Sequence, residues 1–327
     1  MAAETGTGLA VVAGGGALGL PLELVESARN YARASKASRT LHAYRAAWGA
    51  FEAWCEGRGL PSMPAAPEAV ALYITARADA GRKPATLALD VAAIGQAHKA
   101  AGHPSPTAAA CVTGVLAGIR RTVGVAQRQA APLMGADLRR VVAVLPAGLL
   151  GARDRALLLV GFSGAFRRSE LVGLAVEDLA FTAEGLAVTV RRSKTDQEGE
   201  GRTVAIPFSG TPEACPVRAV RAWLEAAGIT AGPVFRGVTR HGGIGAKALT
   251  GRAVALVVKR AAEAVGLEAS KFSGHSLRAG LVTSAAKRGK SARAIMRTTG
   301  HKSERMVGRY IRDAEMWADN AAAGLLD

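Results

Sequence analysis

In the stretch SRTLHAYRAAWGAFEAWCEGRG, residues 38–59, Leu41, Tyr44, Trp48, Phe51 and the pair Trp54/Cys55 recur every three to four positions, while Arg39, Arg45 and Glu52 fall off that stripe. This period predicts an amphipathic helix, stopped by Gly57 and Gly59. LELVESARNYARA precedes it. PEAVALYITARADAG, ATLALDVAAIGQAHKAAG and PTAAACVTGVLAGIRRTVG follow, each bounded by Pro or Gly. Residues 23–125 therefore read as a bundle of four or five short helices.

The segment GVAQRQAAPLMG, 124–135, is polar and then Pro/Gly-bearing, and its residues 126–133 read as a linker. Helices are expected near 136–145 and 152–165. The period then changes. VEDLAF, GLAVTVRR and RTVAIPF alternate every second residue, and GEG at 199–201 sits where a hairpin turn belongs. Helical spacing resumes in CPVRAVRAWLEAAG, LTGRAVALVVKRAAEAVG, HSLRAGLVTSAAKRG, SARAIMRTTG and ERMVGRYIRDAEMWADN. The fold class that follows is mainly α: a helical bundle, then an α-rich second domain over 134–327 carrying a small antiparallel β-sheet. No internal repeat is visible.

Composition narrows the partner. Lys and Arg outnumber Asp and Glu by 42 to 26, a formal charge of +16, and the excess is spread along the chain. A well-cored protein with this imbalance repels itself unless a polyanion offsets it, so nucleic acid is the first candidate. No apolar run approaches the roughly 20 residues that span a bilayer. The opening GLAVVAGGGALGL, with Glu4 as the only charge before it, lacks the basic flank of a targeting signal; residues 1–22 read as a flexible leader. Cys55, Cys111 and Cys215 are odd in number and far apart, which fits buried thiols rather than disulfides or zinc ligands.

Breaking a phosphodiester without a metal calls for fixed positive charge on the non-bridging oxygens, a nucleophile, a base to take its proton and an acid for the leaving oxygen. The chain holds no HExxH, no CxxC and no evident cluster of carboxylates for the metal routes. GAFRRSEL supplies Arg167 or Arg168, with Glu170 placed to hold a guanidinium. RRSKTDQEGEGRTVAIP puts Lys194 at a strand end beside a polar turn. In GHSLRAG, His275 and Arg278 are three apart at a helix start, where free backbone N–H groups favour phosphate. GHKSERMVGRY adds His301 and, nine residues on, Tyr310, the only one of four tyrosines outside the first quarter. A free phenol is about 0.1% ionised at neutral pH, and Lys302, Arg305, Arg309 and Arg312 around Tyr310 would lower that cost.

In this order Arg167, Lys194, His275, Arg278, His301 and Tyr310 resemble the signature of the tyrosine recombinase (phage integrase) family, over roughly residues 24–320. The resemblance implies a SAM-like core-binding domain followed by a catalytic domain, with the two forming a C-shaped clamp on DNA. It implies that Arg167 and Arg278 clamp the scissile phosphate and that Tyr310 attacks it. Lys194 would protonate the leaving 5′ hydroxyl, His275 would act as acid/base partner, and His301 would hydrogen-bond the phosphate. Neither ATP, metal nor another cofactor is called for. Implied partners are double-stranded DNA with specific sites and a homotetramer on it, in the cytoplasm and associated with the nucleoid, without membrane. The tail AEMWADNAAAGLLD would dock on a neighbouring protomer.

Two departures stand out. Many relatives carry a second histidine where this chain has Ala279, and Arg168 beside Arg167 leaves the clamp residue open by one position. An extra arm-binding domain ahead of the bundle is not expected. Candidate DNA contacts in the bundle are Arg39, Arg45, Arg82, Lys83, Arg120 and Arg121. A type IB topoisomerase would share the chemistry, a non-catalytic DNA-binding protein the charge, and a basic structural or membrane-surface protein the composition.

Overall fold

The computed structural model describes residues 21–34, 36–125, 129–191 and 201–315. Most of the expected leader, part of the expected linker, Lys194 with most of its turn, and the tail from residue 316 lie outside the described residues. The chain divides into two compact units at residues 128 and 129.

The first unit is α1 (Leu22–Ala34), α2 (Ser38–Glu56), α3 (Pro67–Asp79), α4 (Pro84–Ala100) and α5 (Ala110–Val123). Pro67 and Pro84 occupy the first helical position, where the missing N–H costs nothing. Gly81 and Gly102, both at φ +77°, let the chain leave α3 and α4. The α2 stripe packs as its spacing requires: Trp48, Phe51 and Cys55 are buried with Tyr73 and Ile74 of α3, Leu87 and Ile94 of α4, and Val112 and Leu116 of α5. Phe51 meets Tyr73 edge-on at 5.1 Å. Burying each large apolar side chain contributes about 1.5–3 kcal/mol. His98 is also core: its rings nitrogens serve Ile94 O at 2.8 Å and Ala65 N at 2.9 Å, and burial lowers its pKa. Cys111 is exposed, so the reading of buried thiols holds for Cys55 and Cys215 alone. Arg39, Arg45, Arg82, Lys83, Arg120 and Arg121 are all exposed.

The second unit begins with α6 (Gly135–Val144), α7 (Leu149–Ser163) and α8 (Arg168–Gly173). It continues with strands β1 (Leu179–Phe181), β2 (Gly185–Val190) and β3 (Arg202–Pro207), then α9 (Pro216–Ala226), β4 (Arg236–Val238) and β5 (Ile244–Ala248). It ends with α10 (Gly251–Ala264), α11 (Ser276–Lys287), α12 (Ala292–Thr299) and α13 (Glu304–Glu315). β1, β2 and β3 form an antiparallel sheet in that order, with Leu186 opposite Ile206 and Val188 opposite Val204. All four face the core, while Thr203 and Ala205 face out, as period-two alternation requires. The β4–β5 hairpin was not expected. None of its residues is buried, so the sequence carries no apolar alternation to betray it.

Helix α11 runs through this unit. Leu277, Ala279 and Val282 are buried, and Gly280 lies against the 131–133 segment, where Leu133 N donates to Ser276 O at 3.0 Å. Leu133, the last residue of the stretch read as linker, is itself fully buried. A Cβ on Gly280 would stand 1.9 Å from Leu133 O, a backbone atom that cannot rotate away. Gly280→Ala is therefore expected to cost at least the roughly 1–3 kcal/mol of core overpacking and to lower Tm by several degrees in a thermal melt. Gly49→Ala, in α2 with open space at its Cβ, should instead gain about 0.5–1 kcal/mol from helix propensity.

Candidate active site

The first arginine of the site is set by a tight turn. Gly164 and Ala165 end α7, and Ala165 has φ +48°, the left-handed region that costs a residue with a side chain about 1–3 kcal/mol. Phe166 is buried beneath the turn and lies so close that a Cβ on Gly164 would be 2.1 Å from its ring. Arg167 then occupies the N-cap of α8. Its backbone N–H donates to Glu170 Oε2 at 3.0 Å and its Nη1 to Glu170 Oε1 at 2.6 Å. One carboxylate thus caps the helix and orients the guanidinium. Arg168 is exposed, its stem lying across Gly274, where a Cβ would be 2.2 Å from Cδ. Arg167 is accordingly the arginine joined to the cluster's carboxylate.

Arg278, in the first turn of α11, is 2% exposed. Its Nη1 donates to Ala165 O at 2.8 Å and Thr299 O at 2.7 Å, and its Nη2 lies 3.0 Å from His301 Nε2. The strained Ala165 carbonyl is therefore aimed at this guanidinium. Burial first, then the charge of Arg167, pushes the Arg278 pKa down to about 10, so it stays cationic at neutral pH.

His301 follows Gly300, which closes α12 in the left-handed conformation at φ +66°. Its Nδ1 lies 2.7 Å from Thr299 Oγ1. Desolvation, then Arg278, Arg167, His275 and Arg202, pushes its pKa down to about 4. His275 stands at the N-cap of α11 rather than inside its first turn, its backbone N–H donating to Ser273 Oγ at 3.2 Å. Desolvation and then Arg278, Arg167 and Arg168 lower its pKa. This residue is exposed, so the three cations are the firmer cause. Both histidines are thus neutral bases at pH 7.

Tyr310 lies on α13, partly buried against Val282, Ala286, Ile295 and Val307. Of its sequence neighbours, Lys302 and Arg305 are exposed. Buried Arg278 lies within electrostatic range of the phenol. The structure thus brings Arg167, Glu170, His275, Arg278 and His301 into one cluster, with Tyr310 in electrostatic range. Among the described residues, no group of three or more His, Cys, Asp or Glu could hold a metal ion, and no helix is long and apolar enough to cross a membrane.

The family model for the phage integrase family matches residues 133–316. The chain belongs to the phage integrase family. An integrase/recombinase xerD homolog of Selenomonas ruminantium is 42% identical over 291 residues, covering 88% of this chain and 85% of the relative. The recombinase cre of Escherichia phage P1 is 24% identical over 282 residues, 80% of each. Among solved structures, a lambda integrase dimer bound to a COC′ core site matches with TM-score 0.54 at 19% identity, over 85% of this chain and 90% of that one. The XerH recombinase bound to a palindromic difH substrate matches with TM-score 0.53 at 16% identity, over 80% and 71%. At such identities the likeness is one of fold: mainly helical, with small antiparallel sheets.

Two residues of this recombinase's cluster escaped the sequence reading. Arg202 opens β3, opposite Val190. Its Nη2 donates to Glu170 Oε2 at 3.2 Å and its Nη1 to Thr298 O at 2.9 Å, tying the sheet to α8 and α12. A Cβ on Gly300 would stand 2.9 Å from Arg202 Nε, so glycine is required there for room as well as for φ. Thr299, fully buried beneath His301, is the second. Neither carries a sequence signal, because each acts through a partner far along the chain or across a helix end.

The lowered pKa of His301 links stability to pH. The unfolded ring takes a proton near its ordinary 6.5 and the folded ring only near 4. Its contribution is therefore whole above about 6.5 and is lost as pH falls from there towards 4. In urea melts at pH 7 and 4.5, the wild type should lose more stability on acidification than His301→Gln, whose amide keeps both hydrogen-bonding roles without titrating.

Proposed function

We propose that the chain is a site-specific DNA recombinase that cuts and rejoins strands through a 3′-phosphotyrosine formed on Tyr310. The observation that carries this reading is the convergence of Arg167, Arg278 and His301, from three distant stretches of chain, beside the helix that bears Tyr310. Arg167 and Arg202 are paired to the Glu170 carboxylate and Arg278 lies within its field, an excess of two positive charges among these four groups, which suits a phosphodiester passing through a more highly charged transition state.

In the proposed reaction Arg167 and Arg278 grip the non-bridging oxygens and His301 adds a hydrogen bond. The Tyr310 oxygen attacks phosphorus as its proton passes to His275, a neutral base. The P–O5′ bond breaks, and the leaving oxygen takes a proton from Lys194, which the β2–β3 connection would deliver. Rejoining runs these steps backwards with another 5′ hydroxyl. One ester is exchanged for another, so no ATP is needed, and the arginines do what a metal ion would otherwise do. Exposed Arg39, Arg45, Arg82, Lys83, Arg120 and Arg121 of the first unit would lie on DNA phosphates. Exchange between two sites calls for four protomers, here a homotetramer on DNA, acting in the cytoplasm where the DNA is.

Incubation with duplexes nicked near the cleavage point should yield a covalent protein–DNA adduct, unaffected by chelators and absent in Tyr310→Phe. Arg278→Lys, which exchanges a forked donor for a point charge, should slow adduct formation by roughly 10²–10³. Failure of wild type to form the adduct on any duplex that it binds would overturn the reading. Joining of two specific sites, rather than plasmid relaxation alone, separates recombination from topoisomerase action. If about 6–10 phosphates are contacted, affinity should fall by roughly 10³–10⁵ between about 50 and 200 mM salt, and a flat response would remove the DNA grip.

A further inference from the structure

The hydrogen bonds around His301 decide which ring nitrogen carries the proton. A guanidinium only donates, so Arg278 Nη2, 3.0 Å from Nε2, requires a lone pair there. In the neutral ring the proton is then on Nδ1, 2.7 Å from Thr299 Oγ1. Thr299 can accept it because its own hydroxyl donates elsewhere, to Ile295 O at 2.8 Å. A relay results, running from Arg278 through the imidazole and the hydroxyl to a helix carbonyl, with every member in its one consistent role.

We propose that Thr299 is a positioning residue for the recombination chemistry: its buried hydroxyl holds His301 as the Nδ1–H tautomer and turns Nε2 towards the arginines that grip the phosphate. The proposal rests on the reading of this cluster as the phosphate site, and it adds a consequence for proton traffic. A phosphate oxygen also needs a donor, and resting Nε2 offers a lone pair. To bond the phosphate, the ring must take one proton from solvent onto Nε2, while Nδ1–H stays on Thr299. The charged groups that face the ring are Arg278 and His275 at the head of α11, Arg167 with Glu170 at α8, and Arg202 on β3. Tyr310 on α13 is in electrostatic range of Arg278, and Lys302 follows His301 in the chain. Without an anion these cations keep the ring neutral, and a bound tetrahedral anion reverses the balance. Anion binding is therefore coupled to proton uptake at one named atom.

The test is nuclear magnetic resonance of the full chain labelled with ¹⁵N-histidine, with His301 assigned by its loss in His301→Gln. Sulfate serves as the probe, a tetrahedral dianion that does not titrate near neutrality. Wild type and Thr299→Ser should show the Nδ1–H signature without sulfate, and added sulfate should move the His301 titration midpoint upward. Thr299→Val, of the same shape without the hydroxyl, should show a mixture of tautomers and a smaller midpoint shift, with the fold of the second unit checked by the unchanged indole proton signal of Trp223, whose Nε1–H donates to Val234 O in its core. A wild-type proton on Nε2, a Thr299→Val spectrum indistinguishable from wild type, or a midpoint unmoved by sulfate would each overturn the proposal. The DNA-free tautomer is read without strand cleavage, so absence of the covalent adduct would sink the functional reading and leave this result standing.

Discussion

Glu170 places a side chain of 1% exposure between the guanidiniums of Arg167 and Arg202, and the same carboxylate caps α8. Removing a carboxylate or a guanidinium from water costs several kcal/mol per ion unless partners replace the solvent. Arg202 and Arg278 both register that cost, since burial is the largest influence lowering their pKa values. Glu170 keeps the arrangement affordable without cancelling it, because its one negative charge stands against three positive ones. Backbone carbonyls supply the rest: Ala165 O and Thr299 O for Arg278, Thr298 O for Arg202. Donors held this way are oriented during folding, so little reorganisation remains when an anion arrives.

That arrangement explains several places where the backbone departs from its preferred geometry. Ala165 tolerates φ +48° because its carbonyl is held by a buried guanidinium. Gly300 combines a left-handed C-cap with room for Arg202, and it sets His301 immediately after a helix end whose terminal carbonyls point at arginines. Gly274 is buried because the stem of Arg168 covers it. None of these is explained by the apolar core. Each is explained by where a guanidinium has to be.

The fold was legible wherever burial alternates at the period of the element. The α2 stripe and the inward residues of β2 and β3 followed directly, whereas β4–β5 buries nothing and left no trace. The candidate site residues stand out for a different reason: each motif is weak alone, and Arg167, Lys194, His275, Arg278, His301 and Tyr310 gain meaning from their order along the chain. Arg202 and Thr299 are ordinary residues in ordinary positions. They matter through Glu170, Thr298 and His301, contacts that exist only once β3, α8 and α12 have come together. Among the cations near Tyr310 in sequence, Lys302 and Arg305 are exposed, whereas Arg278, 32 residues earlier in numbering, is a buried charge in electrostatic range of the phenol.

Helix α11 joins the two halves of this chemistry. Its first turn carries Arg278, locked by three hydrogen-bond partners, and its later turns present Val282 and Ala286 to α13. In the proposed reaction the phosphate grip and the nucleophile are therefore referenced to a single rigid rod. They are not held equally firmly. The arginines are fixed by ion pairs and by a helix embedded in the main core, whereas α13 rests on a small separate cluster of Val282, Ala286, Ile295 and Val307. Fewer buried apolar groups mean a lower free energy of local opening. In the proposed reaction the helix that would carry Tyr310 to phosphorus thus rests on a smaller apolar cluster than the unit that fixes the arginines.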